Sequence, residues 1–491
     1  MNVVLIIADT LRYDHVGACG NQWIETPSMD RLAAQSTVFE HCYAASYPTL
    51  PHRTDVLTGR YGGPFHPWRP LRYDVATFPE LVGRAGYCTQ LMHDTPHMAN
   101  GGHNFDFPFQ GWTFIRGGEA DRPLAGPVHE VPENWGRDPV FDFVDDELLK
   151  DGVIQNYARA NRHRSAIEDW TTARLFGSAC DWLEEFGTKT PFLLWVDSFD
   201  PHEPWDAPRE FVLKYAEVDG FDGKFDPRSQ VGRNEEGLTK EAAARIRAFY
   251  AAEVSWMDHN LGRLLDALEE TGLHEETAVI FTSDHGTNLG ERNRFGKFWP
   301  PREKEAHVPL FIRVPGATPR TVGGLVQPQD ITATVLSLCG VEETSKLEGR
   351  NLLETDHRQG EGKREIVLTG CAADAGWAQC TDEPLLFATT GEWNLHFAAD
   401  PRHSKLNRVG SSEDVSEEHP RVRANLRESV LNSLRERNTD SRLLRWLEEE
   451  GRPPFPDECE FWEGWPSPPN YTNYFGSDRL YASAMPDYGG K

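Results

Sequence analysis

Acidic and imidazole side chains stand directly behind three apolar runs. Asp9 follows Val3 to Ile7, His202 lies just past Phe192 to Val196, and the pair Asp284–His285 follows Ala278 to Thr282. In an open parallel sheet, ligands gather at the carboxyl ends of the strands. If these runs are strands of one sheet, carboxylates and imidazole converge on one rim, a donor set suited to a divalent metal ion. A single aspartate behind a strand usually caps a helix or makes a turn. Several on one rim point to chemistry.

The elements that would position these residues alternate along the chain. Strands are expected at Val3–Ile7, Tyr87–Met92, Phe192–Val196, Ala278–Thr282 and Val308–Val314. Helices are expected at Pro27–Gln35, Thr77–Ala85, Ser165–Phe186, Lys240–Glu270 and Ile331–Cys339. Such alternation predicts an α/β fold whose mostly parallel sheet is flanked by helices on both faces. Residues 62 to 140, rich in Gly, Pro, Trp and Phe, read as long ordered loops that would set specificity. The rhythm weakens beyond about residue 346, so a catalytic domain is assigned to 1–345 and a smaller α+β subdomain to 346–491. There, short strands at Ile366–Leu368, Leu386–Thr390 and Trp393–Ala398 precede a helix at Val422–Arg437. The tail from Pro453 to Lys491 is rich in proline and aromatics, and it reads either as a wrap or as an arm joining a homo-oligomer.

A formal charge of −27 argues against nucleic acid or an anionic membrane surface as partner. An anionic substrate would need a locally positive site, which a bound metal supplies. Residues 1–7 carry no basic flank or cleavage site, and no stretch is long enough to span a bilayer, so a cytoplasmic location is expected. Eight scattered cysteines without CxxC spacing read as reduced thiols.

Thr49-Leu50-Pro51-His52-Arg53, continuing through Leu57-Thr58-Gly59-Arg60, resembles the sulfatase signature of the alkaline phosphatase superfamily. That signature reads Cys or Ser, any residue, Pro, any residue, Arg, then Leu-Thr-Gly after a three-residue gap. Further segments match in the same order: Leu5-Ile6-Ile7-Ala8-Asp9, Asp200-Pro201-His202-Glu203-Pro204, Thr282-Ser283-Asp284-His285-Gly286, Gly296-Lys297 and His307-Val308-Pro309-Leu310. The resemblance covers roughly residues 1 to 340. His285 and the stretch His93-Asp94-Thr95-Pro96 resemble the phosphonate monoester hydrolase and phosphodiesterase branch. The resemblance implies an alkaline phosphatase-like fold and a site with assigned roles. Asp9, Asp284 and His285 would hold the metal, with the Thr49 oxygen also facing it. Arg53 would clamp the substrate's anionic oxygens, and His202, Lys297 and His307 would surround the transferred group as donors. Asp14, His15 and His97 read as loop residues, and Asp258 as a structural residue within a helix.

Two departures from the family pattern shape the expected chemistry. Position 49 is Thr, which cannot be oxidised to the formylglycine made from Cys or Ser. A covalent intermediate on Thr49 would be a plain ester, favouring phosphorus over sulfur and a diester or phosphonate monoester as substrate. A sulfatase working with Thr is the alternative, and a phosphotransferase or a non-catalytic binding protein follows. Thr10 stands where many sulfatases carry a second Asp. With His285 gained and a carboxylate lost, Mn, Zn or Fe fits better than Ca or Mg. A second ion would draw on Asp197 or Asp200 with His202 and His307.

Overall fold

The computed structural model describes residues 1–62, 70–99, 103–119, 121–124, 156–157, 159–216, 240–291, 295–297, 301–342, 347–354, 364–371, 384–437, 439 and 441–448. The tail from Pro453 and much of the loop region between residues 62 and 140 lie outside them.

Strand β1 (Asn2–Ala8) is buried along its whole length, as an apolar run without alternation requires. It pairs in parallel with β6 (Phe192–Ser198) on one side and β7 (Thr277–Ser283) on the other. Its two faces feed two cores. Val4, Ile6 and Ala8 pack into one, Val3, Leu5 and Ile7 into the other. The first core is roofed by helix α5 (Lys240–Glu270), through Ile246, Phe249, Val254, Met257 and Leu261, and by α4 (Thr171–Trp182). Helix α2 (Thr49–Thr58) covers the other face with Leu50, Val56 and Leu57, beside Ile331 and Val335 of α6 (Gln329–Leu338). Full burial of each such aliphatic side chain contributes about 1.5–3 kcal/mol. Helices α1 (Pro27–Ala34) and α3 (Phe78–Arg84) form where proline stands in the first turn, a position that sacrifices no helical hydrogen bond.

The nine-stranded sheet extends from β6 through β4 (Cys88–His93) to β5 (Gly111–Phe114), all parallel. On the other side β11 (Leu310–Arg313) runs antiparallel to β7 and to β2 (Thr37–Tyr43). Strands β10 (His307–Val308) and β12 (Arg320–Val326) also pair with β2, while β8 (Asn288–Leu289) and β9 (Phe295–Gly296) pair with each other. The mostly parallel, helix-flanked α/β sheet expected from the sequence is present, with an antiparallel strand inserted. Strand β2 has no apolar run, because Glu40 and His41 interrupt it, and β12 contains two glycines. Neither stands out by composition. The expected helix Ser165–Phe186 starts at Thr171, after a short 3-10 turn at Ile167–Asp169, and ends in a π turn at Leu183–Gly187.

A second sheet has the order β16-β15-β14-β13-β3, from Lys405–Arg408, Trp393–Ala398, Pro384–Thr389, Val367–Cys371 and Ser46–Tyr47. Helix α7 (Pro420–Glu436) packs on it through Val430, Leu431 and Leu434. Strand β3 lies two residues before Thr49 and pairs with β13, so the smaller sheet braces the turn that enters α2. Among the described residues, Cys19, Cys42, Cys88, Cys180 and Cys339 are free thiols, and no helix is long and apolar enough to cross a membrane.

Candidate active site

Strand register builds the centre of the site. Ala8 lies opposite Ser283 on β7 and Ser198 on β6, so the next residues, Asp9 and Asp284, emerge side by side at the carboxyl edge. The Asp9 N–H donates to the Ser198 carbonyl at 2.8 Å, which fixes the chain as it leaves the sheet. Thr10 then adopts a left-handed backbone, φ 68°, an unusual conformation for a β-branched residue. Its N–H donates to Asp284 Oδ1 at 2.9 Å and its hydroxyl to Asp9 Oδ1 at 2.7 Å. The His285 N–H donates to the same Asp284 oxygen at 2.7 Å. Thr10 therefore aims both carboxylates and supplies no ligand of its own.

His285 donates through Nδ1 to the Gly286 carbonyl at 2.8 Å, which leaves Nε2 with a free lone pair. That atom and Asp9 Oδ2 are buried without a hydrogen-bond partner. Ligand atoms of Asp9, Asp284 and His285 lie within 4.8 Å of one another, the one such group among the described residues. Burial, reinforced by the charge of Asp284, pushes the Asp9 carboxyl up to about 7. Burial acts the same way on Asp284, but His285 and Arg53 outweigh it and hold that carboxyl well below its usual range. Burial also lowers His285 to about 4, so its imidazole is neutral. A neutral imidazole with an unpartnered Nε2 and two carboxylates fit a divalent cation.

Helix α2 brings the next residues. Thr49 opens it and Arg53 follows one turn later on the same side, both buried. The Arg53 guanidinium is fully enclosed. Its Nε and Nη2 form a fork on Asp197 at 3.0 and 2.9 Å, while Nη1 meets Asp284 Oδ2 and stands 3.2 Å from Asp9 Oδ2. Asp197 is also held by the Thr95 hydroxyl at 2.7 Å and the Trp195 indole at 3.2 Å. With Asp9 and Asp284 that makes three buried carboxylates against one guanidinium. The negative excess is what a divalent ion would offset.

Across from Asp9 lies a second cluster. His202 turns Nδ1 toward Glu203, 2.8 Å from its carbonyl and 3.0 Å from its carboxylate, and Lys297 Nζ stands 3.0 Å from Nε2. Lys297 also pairs with the Glu203 carboxylate. Burial and Lys297 both oppose a charge on His202, yet Glu203 and Asp9 prevail and raise its pKa. Burial likewise opposes the Lys297 charge, and Glu203 and Asp9 raise it. The cluster keeps protons available beside the carboxylates.

The sulfatase family model matches residues 1–341, more than two thirds of the chain. The chain belongs to the sulfatase family. It is thus a hydrolase of a metal-dependent family whose named relatives include sulfatases. An arylsulfatase of Clostridium perfringens is 26% identical over 456 residues, covering 85% of this chain and 91% of that protein. Human iduronate 2-sulfatase is 29% identical over 352 residues, covering 65% of this chain and 60% of its own length. Among solved structures, the phosphonate monoester hydrolase of Agrobacterium radiobacter superposes with a TM-score of 0.65 at 21% identity, covering 88% and 95% of the two chains. That of Silicibacter pomeroyi gives 0.65 at 23%, covering 89% and 95%.

Within this sulfatase-family fold, Asp9, Asp284 and His285 share one rim, Arg53 reaches it from α2 with Nη1 3.3 Å from the Thr49 carbonyl, and His202 pairs with Lys297 beside it. His307 is placed elsewhere: its ring stacks on Tyr13 at 3.8 Å and Tyr43 at 4.7 Å, and Nε2 donates to the Glu40 carbonyl at 2.8 Å. The apolar strand that follows it resembled the family pattern but carries the ring onto aromatic packing. Arg53 is placed at the site as expected, with its fork on Asp197. The second-ion set is not assembled: Asp197 is committed to Arg53, Asp200 to the Thr172 hydroxyl, and His307 points away. His97, read as a loop residue, lies 6.3 Å ring to ring from His202, with Lys297 and Arg53 among the charges acting on it. Its only sequence signal is its place beside His93-Asp94-Thr95-Pro96. Asp14 pairs with Arg12, His15 and Lys304.

Proposed function

We propose that this chain hydrolyses phosphoric esters, a phosphodiester or a phosphonate monoester, through a covalent intermediate on Thr49. The observation that carries the reading is Thr49 itself. A hydroxyl that cannot become formylglycine opens a buried helix whose Arg53, one turn on, contacts Asp9 and Asp284. A divalent ion held by Asp9, Asp284 and His285, with the Thr49 oxygen facing it, would lower the hydroxyl pKa and offset charge on the transferred group.

The Thr49 Oγ forms a bond to phosphorus as the bond to the leaving oxygen breaks. His202 or Lys297 donates the proton that the departing alkoxide needs. Water then attacks phosphorus, giving one proton to the His202 or Lys297 that had lost it, and the Oγ–P bond breaks; the Thr49 oxygen takes back from solvent the proton it had released there before the first attack. Arg53, locked by Asp197, aims Nη1 at the two ligand carboxylates, holding Asp284 ionised and opposing the upward push of burial on Asp9. The substrate on this reading is a small anionic ester, and Mn, Zn or Fe is the preferred ion. Residues 1–345 are proposed as the catalytic domain, 346–491 as a subdomain, and the cytoplasm as the location. A homo-oligomer joined by the tail is kept as a proposal.

Sulfate is the second reading, because the curated relatives above are named sulfatases. Paired aryl sulfate, phosphate monoester and phosphodiester substrates separate the two. Rapid quench with a diester should give a phosphorylated Thr49 peptide by mass spectrometry. Thr49→Ser should keep substantial turnover and Thr49→Ala almost none. Near-native turnover in the alanine variant would defeat the covalent route.

A further inference from the structure

His52 has no part in the chemistry above, yet its setting is unusual. It occupies the open position between Pro51 and Arg53 in the first turns of α2, and its side chain is 1% exposed. Neither ring nitrogen has a hydrogen-bond partner. Thr49 lies three residues earlier on the same side of the helix, and Arg53 is the next residue. The charges acting on the imidazole are, in order, Asp284, Arg53 and His285. Asp284 in turn feels His285, Arg53 and then His52. His52 is therefore sealed in the first turns of α2, within range of the Asp284 charge.

Buried polar groups without partners are rare because their desolvation is uncompensated. Asp284 gives His52 little to bond to. Its Oδ1 already accepts from two backbone N–H groups, and its Oδ2 faces Arg53. What remains unmet on His52 is one N–H and one lone pair, and a cation is the natural complement of the lone pair.

We propose that His52 is a further protein ligand of the ion held by Asp9, Asp284 and His285, giving a two-histidine, two-carboxylate site. This rests on the metal reading of that cluster. His52 stands outside the 4.8 Å group, so the proposal requires its ring to turn toward the ion. A second imidazole selects zinc, cobalt or another late first-row divalent ion over magnesium or calcium, which prefer oxygen.

The test uses the full-length protein stripped of metal and titrated with Zn²⁺, Co²⁺ and Mg²⁺. Wild type should bind zinc and cobalt tightly. His52→Ala should weaken both by about tenfold or more while changing magnesium by less than about threefold. The visible bands of the cobalt form should shift with the loss of a nitrogen. His52→Gln is measured alongside, and native circular dichroism decides which variant is read. A mutation-free measurement runs in parallel: pulsed electron paramagnetic resonance of the Cu²⁺-loaded wild type should count two coordinated imidazoles. One imidazole, or a variant that binds and absorbs like wild type, overturns the role of His52 alone. A folded wild type that binds none of the ions overturns the metal reading and this inference with it.

Discussion

Arg53 shows how little freedom a residue at this site has. Two of its nitrogens grip Asp197 and a third reaches the carboxylates beyond. Arg53→Lys keeps the charge and loses the fork, so Asp197 would be left buried without its bidentate partner. We expect kcat/KM to fall by well over tenfold, about 1.4 kcal/mol for each factor of ten; near-native kinetics would reduce Arg53 to a packing role. Asp284→Ala leaves too few donors for a divalent ion and should remove most bound metal and nearly all turnover. Full metal occupancy in that variant, measured by elemental analysis, would show that the ion binds elsewhere. Asp9, Asp284 and His285 were legible in the sequence because each follows an apolar run that could only be an inner strand. Asp197 was seen only as a spare ligand. Its grip on Arg53 depends on a helix whose approach to β6 no local pattern records. His52 and His97 drew no ligand or catalytic role for the same reason, and His307 was overvalued because family resemblance says nothing about which way a ring turns.

At the scale of elements, the long helix α5 also caps another helix. The Asp258 carboxylate accepts from the backbone N–H groups of Ser28 and Met29, at 3.0 and 2.7 Å, in the first turn of α1. Burial nevertheless pushes its pKa up to about 6, against the opposing pull of those two bonds. The unfolded aspartate titrates near 4. Between these values the folded chain binds a proton that the unfolded chain has released. The group's stabilisation is therefore full below about pH 4 and lost as pH rises through about 6. Measured by urea unfolding, the stability of wild type relative to Asp258→Asn should drop by about 2–3 kcal/mol between pH 4 and 7. A constant difference would mean that the carboxylate is not desolvated. The sequence placed α5 almost to the residue, because 31 residues of helical periodicity leave little choice. It missed β2 and β12, whose strand character comes from neighbours and not from composition.

The whole molecule carries a formal charge of −27, while the proposed substrate is itself an anion. Substrate therefore approaches against a net repulsive field. Added salt screens that field, with a Debye length falling from about 30 Å at 0.01 M to about 8 Å at 0.15 M. We expect kcat/KM for an anionic ester to rise about two- to fivefold over that range of sodium chloride. A fall would show that local positive charge at the mouth dominates. The central place of β1 has a different consequence, in time. Its two neighbours in the sheet, β6 and β7, begin at Phe192 and Thr277, so the second of them is synthesised about 270 residues later. At about 5–20 residues per second, a strand apolar from Val3 to Ala8 waits roughly 15 to 55 s for its second partner. During that interval Asn2–Ala8 is open to chaperones, proteases and other nascent chains, and Asp9 has no Asp284 to face. A pulse of protease on stalled ribosomes should cut near β1 until Ser283 has emerged, and spare it afterwards.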